Sequence, residues 1–238
     1  MKHWKPILLA ILLLLPFSVW QLSKQELSVS TVPSGLTDAQ LTWLDTLAEL
    51  TYSQNKLLSS DWHKAHTMLG DTVKQKQNST WILNKMHRYG LWENNAPPAI
   101  TDTTLNELLK QMAPVPASIV LAQAIISSNW GQTPQARVAN NLFNVVCYEP
   151  ECGMVDDNLS AHSQWKLFNS KASSVRWFIE RSLNQERFET FRNERFKMQL
   201  RGAQMNGHWY RDKLPKEISA TIAEFHLTYW GQLIVDEM

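Results

Sequence analysis

Residues 115–131 read Val115-Pro-Ala-Ser-Ile-Val-Leu-Ala-Gln-Ala-Ile-Ile-Ser-Ser-Asn-Trp-Gly131, and this stretch decides the fold. Pro116 suits the first turn of a helix, and the segment from Ala117 to Asn129 is apolar almost all round. A helix without a polar face is buried in the middle of a domain. The stretch therefore predicts a buried central helix over 117–129, with Ser127 in its last turn, at the edge of the core.

Hydrophobic periodicity and cap signals predict helices on both sides of this segment. Thr37 with Gln40 forms a capping-box pattern before an apolar face, and Thr104 with Glu107 marks a further start. Helices are expected from Thr37 and over 61–69, 80–89 and 104–112, then from about 169 and over 186–200 and 211–227. Strand-forming residues at 145–148, a turn at 149–151 and a returning segment at 164–168 predict a small β lobe.

The central stretch resembles the active-site helix of bacterial cell-wall endo-β-N-acetylglucosaminidases, most closely their Bax-like branch. The family pattern there is P-x-S-x-x-L-A-Q-A-x-x-E-S-x-W-G, followed by N-N-L-F-G. The matching residues are Pro116, Ser118, Leu121, Ala122, Gln123, Ala124, Ser128, Trp130 and Gly131, followed by Asn140-Asn-Leu-Phe143. The resemblance implies a mainly α, lysozyme-like α+β fold with a central buried helix and a small β lobe, which agrees with the periodicity.

Ser127 stands where the resemblance places the catalytic Glu. Glycoside hydrolysis usually takes two carboxyl groups, one of which protonates the leaving oxygen. A hydroxyl is far too weak an acid for this step, and losing a general acid slows the reaction by about 10²- to 10⁴-fold. A nucleophilic Ser127 is disfavoured because the sequence lacks a G-x-S-x-G elbow and an adjacent base.

Three further positions depart from the family pattern. Ala203 stands where family members place a Tyr in the loop before the last helix, and Tyr210 is a nearby substitute. Asn129 and Asn144 replace family glycines. We expect these two side chains to narrow the cleft or to alter its turns.

Glu149 and Glu151 are the candidates for a replacement carboxylate, because some family members hold one in the β lobe. The alternative is that Glu149 and Glu151 form a solvated hairpin tip. Asp156 and Asp157 are similar candidates, and for them a solvated position is favoured more strongly.

Six residues are candidates for contacts with a glycan: Gln123, Trp130, Asn140, Asn141, Phe143 and Tyr148. Aromatic rings stack on sugar faces, and amides hydrogen-bond hydroxyl and N-acetyl groups. A purely structural role remains the alternative for Gln123 and Asn141, and Trp130 is expected to lie half in the core.

The charge balance and the N-terminal segment indicate the cellular compartment and the kinds of partner to expect. Lys and Arg total 23 against 22 Asp and Glu, which argues against nucleic-acid binding. A basic start and an apolar run within 1–22 predict a signal anchor or a cleaved signal peptide. A linker over 23–35, a helical region over 36–113 and a glucosaminidase-like domain over 114–238 follow.

Cys147 and Cys152 are the only cysteines. In an exported protein such a pair favours a disulfide, and Bax-like proteins also carry a cysteine pair just after the N-N-L-F motif. Two free thiols remain an alternative, as does half of a metal site with His162.

These features predict an exported envelope protein of the periplasm, held at the inner membrane by its N-terminal segment. A catalytically degenerate domain that binds peptidoglycan glycan strands or an envelope protein partner is the first hypothesis. An active hydrolase with a non-standard acid is the alternative, and a purely structural protein is the third. No cofactor or metal is expected.

Overall fold

The computed structural model describes residues 33–92, 96–202 and 210–232. In chain order the helices are α1 Asp38–His66, α2 Thr72–Gln77, α3 Ser79–Arg88, α4 Asp102–Met112, α5 Ala117–Ser128, α6 Pro134–Val138, α7 Lys171–Glu180, α8 Glu189–Leu200, α9 Lys216–Glu224 and α10 Thr228–Gln232. Short 3₁₀ turns lie at Ser182–Asn184, Glu186–Phe188 and Arg211–Lys213. The segments 1–22 and most of 23–35, for which an anchor and a linker are predicted, lie outside the described residues.

Helix α1 is longer than the sequence predicts. The capping box of Thr37 and Gln40 is confirmed, but the separate helix expected over 61–69 is wrong, because α1 continues to His66. Polar residues such as Thr51, Gln54 and Asn55 are buried in this helix, and they interrupt the apolar pattern that would have indicated one continuous helix in the sequence. Thr51 donates to the Leu47 carbonyl oxygen at 2.8 Å, which satisfies its hydroxyl inside the helix.

Helix α5 is the buried central helix that the sequence predicts. Of its twelve residues only Ile126 is exposed. Asn55 of α1 fixes its entry, since the Asn55 amide donates to the Val115 carbonyl oxygen at 2.8 Å and accepts from the Val115 N–H at 2.9 Å. Helices α1, α9 and α10 pack around α5, so it lies inside the core.

Two other predicted boundaries differ from the structure. Helix α4 starts at Asp102, and its capping box joins Thr101 and Thr104 instead of Thr104 and Glu107. The single helix expected over 211–227 is broken into a 3₁₀ turn, α9 and α10. Pro215 stands at the N-cap of α9 and cannot continue a helix from the preceding turn. The short helix α2 was not predicted from the sequence.

The β lobe is a three-stranded antiparallel sheet with strand order β1-β3-β2. Its strands are β1 Val146–Cys147, β2 Gly153–Met154 and β3 Gln164–Lys166. The sequence predicts the first and third but misses β2, which begins with a glycine. That glycine is required, because a Cβ at Gly153 would lie 2.0 Å from the Trp165 carbonyl oxygen across the strand pair.

Cys147 and Cys152 form a disulfide that ties the end of β1 to the start of β2. The predicted disulfide is therefore confirmed, and the free-thiol and half-metal-site alternatives fall away. Within the described parts of the chain, no group of three or more His, Cys, Asp or Glu side chains is arranged to hold a metal ion.

The result is a mainly helical, lysozyme-like α+β fold in which the β lobe follows the central helix in the chain. The residues that the structure describes, from Pro33 onward, belong to one compact unit. In the described ranges no individual helix has the length and apolarity to cross a membrane; α4 and α5 meet those criteria only as a pair bent by 67°. Both of these helices contribute many residues to the core.

Candidate functional site

The C-terminal end of α5 forms an unusual turn. Asn129, Trp130 and Gly131 all have positive φ, at 46°, 59° and 76°. Ser128 supports this reversal, because its hydroxyl donates to the Ala124 carbonyl oxygen at 2.6 Å and accepts from the Gly131 N–H at 2.9 Å. Positive φ is rare for a bulky residue, and such strain concentrates at functional sites.

Asn129 and Asn144, which stand at positions where the resemblance expects glycine, both have left-handed backbone. Their φ values are 46° and 53°, and asparagine tolerates the left-handed region better than other residues with a Cβ. Asn144 also accepts from the Gln135 amide at 2.8 Å. Both side chains are exposed, and the expectation that they narrow the cleft or alter its turns stays a prediction.

Ser127 lies in a polar network at this helix end. Its side chain is buried, and Gln123, one turn earlier, donates from Nε2 to Ser127 Oγ at 2.8 Å. Arg187 Nη2 donates to Gln123 Oε1 at 3.3 Å. A guanidinium has only donors, so the Gln123 carbonyl must face Arg187 and its NH₂ must face Ser127. We call Ser127, Gln123 and Arg187 the Ser127 network.

This order leaves the Ser127 hydroxyl as a donor. Its oxygen accepts from Gln123, and among the residues that the structure describes none accepts its hydrogen. Burial and the charge on Arg187 strengthen hydrogen bonds along such a chain. The network therefore presents an oriented O–H to whatever occupies the helix end.

The carboxylate linked to this network is Glu217, at the start of α9. Its Oε1 lies 3.9 Å from Arg187 Nη1, and the two side chains are 56% and 44% exposed. A general acid needs a buried, apolar surrounding to hold its proton near neutral pH. Glu217 has neither that burial nor a hydrogen bond to Ser127.

The structure places Glu149 and Glu151 on the exposed tip between the bonded cysteines. Among described residues no hydrogen bond or ion pair joins their side chains to the Ser127 network. Asp156 is engaged elsewhere, where it accepts from the Trp165 indole N–H at 2.8 Å. Asp157 is exposed.

Tyr210 does not replace a catalytic Tyr at the Ser127 end. Its hydroxyl is hydrogen-bonded to Ser118, which lies nine residues before Ser127, or roughly 13 Å along the helix. Burial raises the pKa of Tyr210 to about 12. Tyr210 therefore supports the first turn of α5, while Ala203 lies outside the described residues.

Three of the residues that were expected to contact a glycan make contacts inside the protein. Asn141 is fully buried and bonds both the Val145 N–H, at 2.9 Å, and its carbonyl oxygen, at 2.7 Å. Asn140 donates to the Phe168 carbonyl oxygen at 3.0 Å. Phe143 is 8% exposed and stacks on Phe178, with 4.4 Å between ring centroids. Burial leaves little of Asn141 or Phe143 to contact a glycan.

Trp130 and Tyr148 retain surface for a ligand. Trp130 is half-buried between Trp43 and Phe225, with ring centroids 5.7 and 5.0 Å away, so its expected division between core and cleft matches its burial. Tyr148 is 74% exposed. Gln123 is buried and joins Arg187 to Ser127 through its amide.

Arg187 and Glu217 were missed by the sequence interpretation. They lie 60 and 90 residues after Ser127 in the chain, in a 3₁₀ turn and at a helix start. Neither stands in a local motif that marks it. Only the packing of α9 and of the 186–188 turn beside α5 brings them to the network.

The sequence that builds this site matches a known family. Residues 103–227 match the family described as mannosyl-glycoprotein endo-beta-N-acetylglucosaminidase, and this range contains the whole Ser127 network. The chain belongs to the glucosaminidase family.

Within that family, the chain is similar to protein bax of Escherichia coli (strain K12), with 32% identity over 98 residues. That match covers 41% of this chain and 34% of the relative, so it spans about a third of the relative's length. No solved structure matches the chain.

Proposed function

We propose that this chain is an exported cell-envelope protein whose glucosaminidase-like domain binds peptidoglycan glycan strands without cleaving them. The observation that carries the proposal is the Ser127 network. At the position where the resemblance expects an acid, the chain holds a hydroxyl that Gln123 and Arg187 orient as a hydrogen-bond donor. Such a group binds a sugar oxygen but does not transfer a proton to it at neutral pH.

Two further features support a glycan ligand and an exported location. Trp130 and Tyr148 keep ring surface that suits sugar faces. The Cys147–Cys152 disulfide fits an oxidising compartment such as the periplasm. The apolar N-terminal run is proposed to hold the protein at the inner membrane, and a cleaved signal peptide is the alternative.

The test is sedimentation of the protein with purified peptidoglycan, followed by chromatography of the soluble fraction. We expect retention on the pellet and no released muropeptides. Release at a rate within about tenfold of an active relative would overturn the proposal, since loss of the general acid removes about 10²- to 10⁴-fold.

A variant pair tests the binding surface without touching the core. Tyr148→Ala should weaken retention about fivefold, because one aromatic contact contributes about 1 kcal/mol. Tyr148→Phe keeps the ring and should bind as the wild type does. Equal binding by wild type, Tyr148→Ala and Tyr148→Phe would show that Tyr148 does not contact the glycan.

The alternative function, an active hydrolase with a non-standard acid, has its own test. Wild-type activity that is abolished by Glu149→Gln or by Glu217→Gln would identify the replacement acid. With inactive wild type, both variants should leave product release at the same background.

A further inference from the structure

A second potential site lies between α3, α7 and β3. A cavity of about 600 Å³ opens there, and none of its lining residues belongs to the Ser127 network. Trp81, Lys85 and Arg88 line it from α3 at a spacing of four and three residues, which is one helical face. Trp177 and Glu180 line it from α7, three residues apart. A volume of this size is typical of small-molecule sites.

The cavity carries an excess of positive charge. Its basic side chains are Lys85, Arg88, Lys166 and Arg181. Against these four stand two carboxylates, Glu180 in the lining and Asp61 beside it. Lys85 pairs with Asp61, and Arg88 Nε lies 3.5 Å from Glu180 Oε2. Lys166 has no carboxylate within ion-pair distance among the described residues, so its charge remains for a ligand.

The cavity also offers aromatic surface. Trp177 is half-buried, and its neighbour Phe168 meets it at a steep angle of 69° with 6.4 Å between centroids, so no ring of that pair stacks in parallel. Trp81 has Lys64 Nζ 4.4 Å and Lys85 Nζ 5.5 Å from its ring centroid. Indole surface beside ammonium groups fits a ligand with both a ring and a negative charge.

We propose that this cavity binds a sugar that carries a carboxylate, with its ring on Trp177 and its carboxylate at Lys166 and Arg88. The neutral hydroxyl-rich ring supplies the face for the indole, and the acid supplies a negative charge for Lys166, which has no carboxylate partner among the described residues. The site is distinct from the helix end at Ser127, so it adds a second point of recognition beyond the proposed function.

The proposal is tested by isothermal titration of the full chain in detergent with four probes. N-acetylmuramic acid and glucuronic acid are carboxylate-bearing sugars, N-acetylglucosamine is a neutral sugar, and acetate is a carboxylate without a ring. We expect heat of binding with the two acidic sugars, and at least about tenfold weaker binding with the other two, because each lacks one half of the recognition.

Charge variants assign the binding to the cavity. Lys166→Gln should weaken binding of the acidic sugars about tenfold through loss of one charge-assisted contact. Lys171→Gln removes the same charge from an exposed position at the start of α7, outside the lining, and should bind as the wild type does. Glu180→Gln removes a buried negative charge and should tighten binding about threefold or more.

Several results would overturn the proposal. These are equal binding of neutral and acidic sugars, binding of acetate alone with the same affinity, or equal losses in Lys166→Gln and Lys171→Gln. The test is independent of the glycan-strand proposal, because Tyr148→Ala should lower retention on peptidoglycan while leaving the acidic-sugar titration unchanged.

Discussion

The change Ser127→Glu tests whether the acid alone is missing from this frame. Position 127 is 7% exposed and lies in the last turn of α5. Burial and the negative end of the helix both raise the pKa of a carboxyl placed there. The new group should therefore hold a proton as a general acid must, and product release from peptidoglycan should rise by about 10²- to 10⁴-fold over wild type.

Arg187 opposes this effect, and its size follows from the network. The hydrogen bonds of 2.8 and 3.3 Å through Gln123 put the guanidinium within about 8 Å of the introduced carboxylate. At that distance and an effective dielectric of about 20, the attraction is about 2 kcal/mol, which lowers the carboxyl pKa by about 1.5. Because Arg187 is 44% exposed, solvent screening makes this an upper limit.

The assay is the pH profile of muropeptide release from purified peptidoglycan. Ser127→Glu combined with Arg187→Gln should move the alkaline limb of the profile upward by as much as about 1.5 pH units relative to Ser127→Glu alone. Ser127→Gln has the same shape without the acid and should stay at background. Activity in Ser127→Gln, or a downward shift on loss of Arg187, would refute the reasoning.

The remaining predictions concern stability and are checked by thermal denaturation. Asn141→Ala should cost about 1–3 kcal/mol, because it leaves the buried Val145 N–H without its partner, while the Val145 carbonyl oxygen still accepts from the Lys166 N–H at 2.9 Å. Asn169→Ala, an exposed site, is the control and should leave the melting temperature unchanged. Gly153→Ala should lower the melting temperature by about 5–15 °C, since its Cβ would collide with the neighbouring strand, and a shift under about 2 °C would contradict the close approach of β2 to β3 at this residue. Burial raises the pKa of Glu180 above 4.5, against the opposing charge of nearby Arg88. The stability that the protonated group contributes is therefore complete below that value and is lost as pH rises through the raised pKa. Glu180→Gln should accordingly gain stability relative to wild type as pH rises above 4.5, and a difference that stays constant with pH would exclude the burial effect.

The sequence by itself determined the features that depend on neighbours in the chain. The apolar run at 117–128 specified the buried helix, and the capping pair at Thr37 specified the start of α1. The motif residues around Ser127 pointed to the correct family. The cysteine pair, in a chain expected to be exported, pointed to the disulfide that the structure contains. Each of these signals is complete within a few residues, so no distant contact is needed to interpret it.

Tertiary structure alone decided which contacts surround the candidate site residues. The sequence suggested Asn141 as a glycan contact, but its amide is hydrogen-bonded to the Val145 backbone. It also suggested Phe143 as a surface for a sugar ring, but Phe143 stacks on Phe178. Arg187 entered the Ser127 network from sixty residues away. Burial and hydrogen-bond partners depend on contacts between distant segments, which no local spacing encodes. The orientation of the Ser127 hydroxyl follows from such a contact.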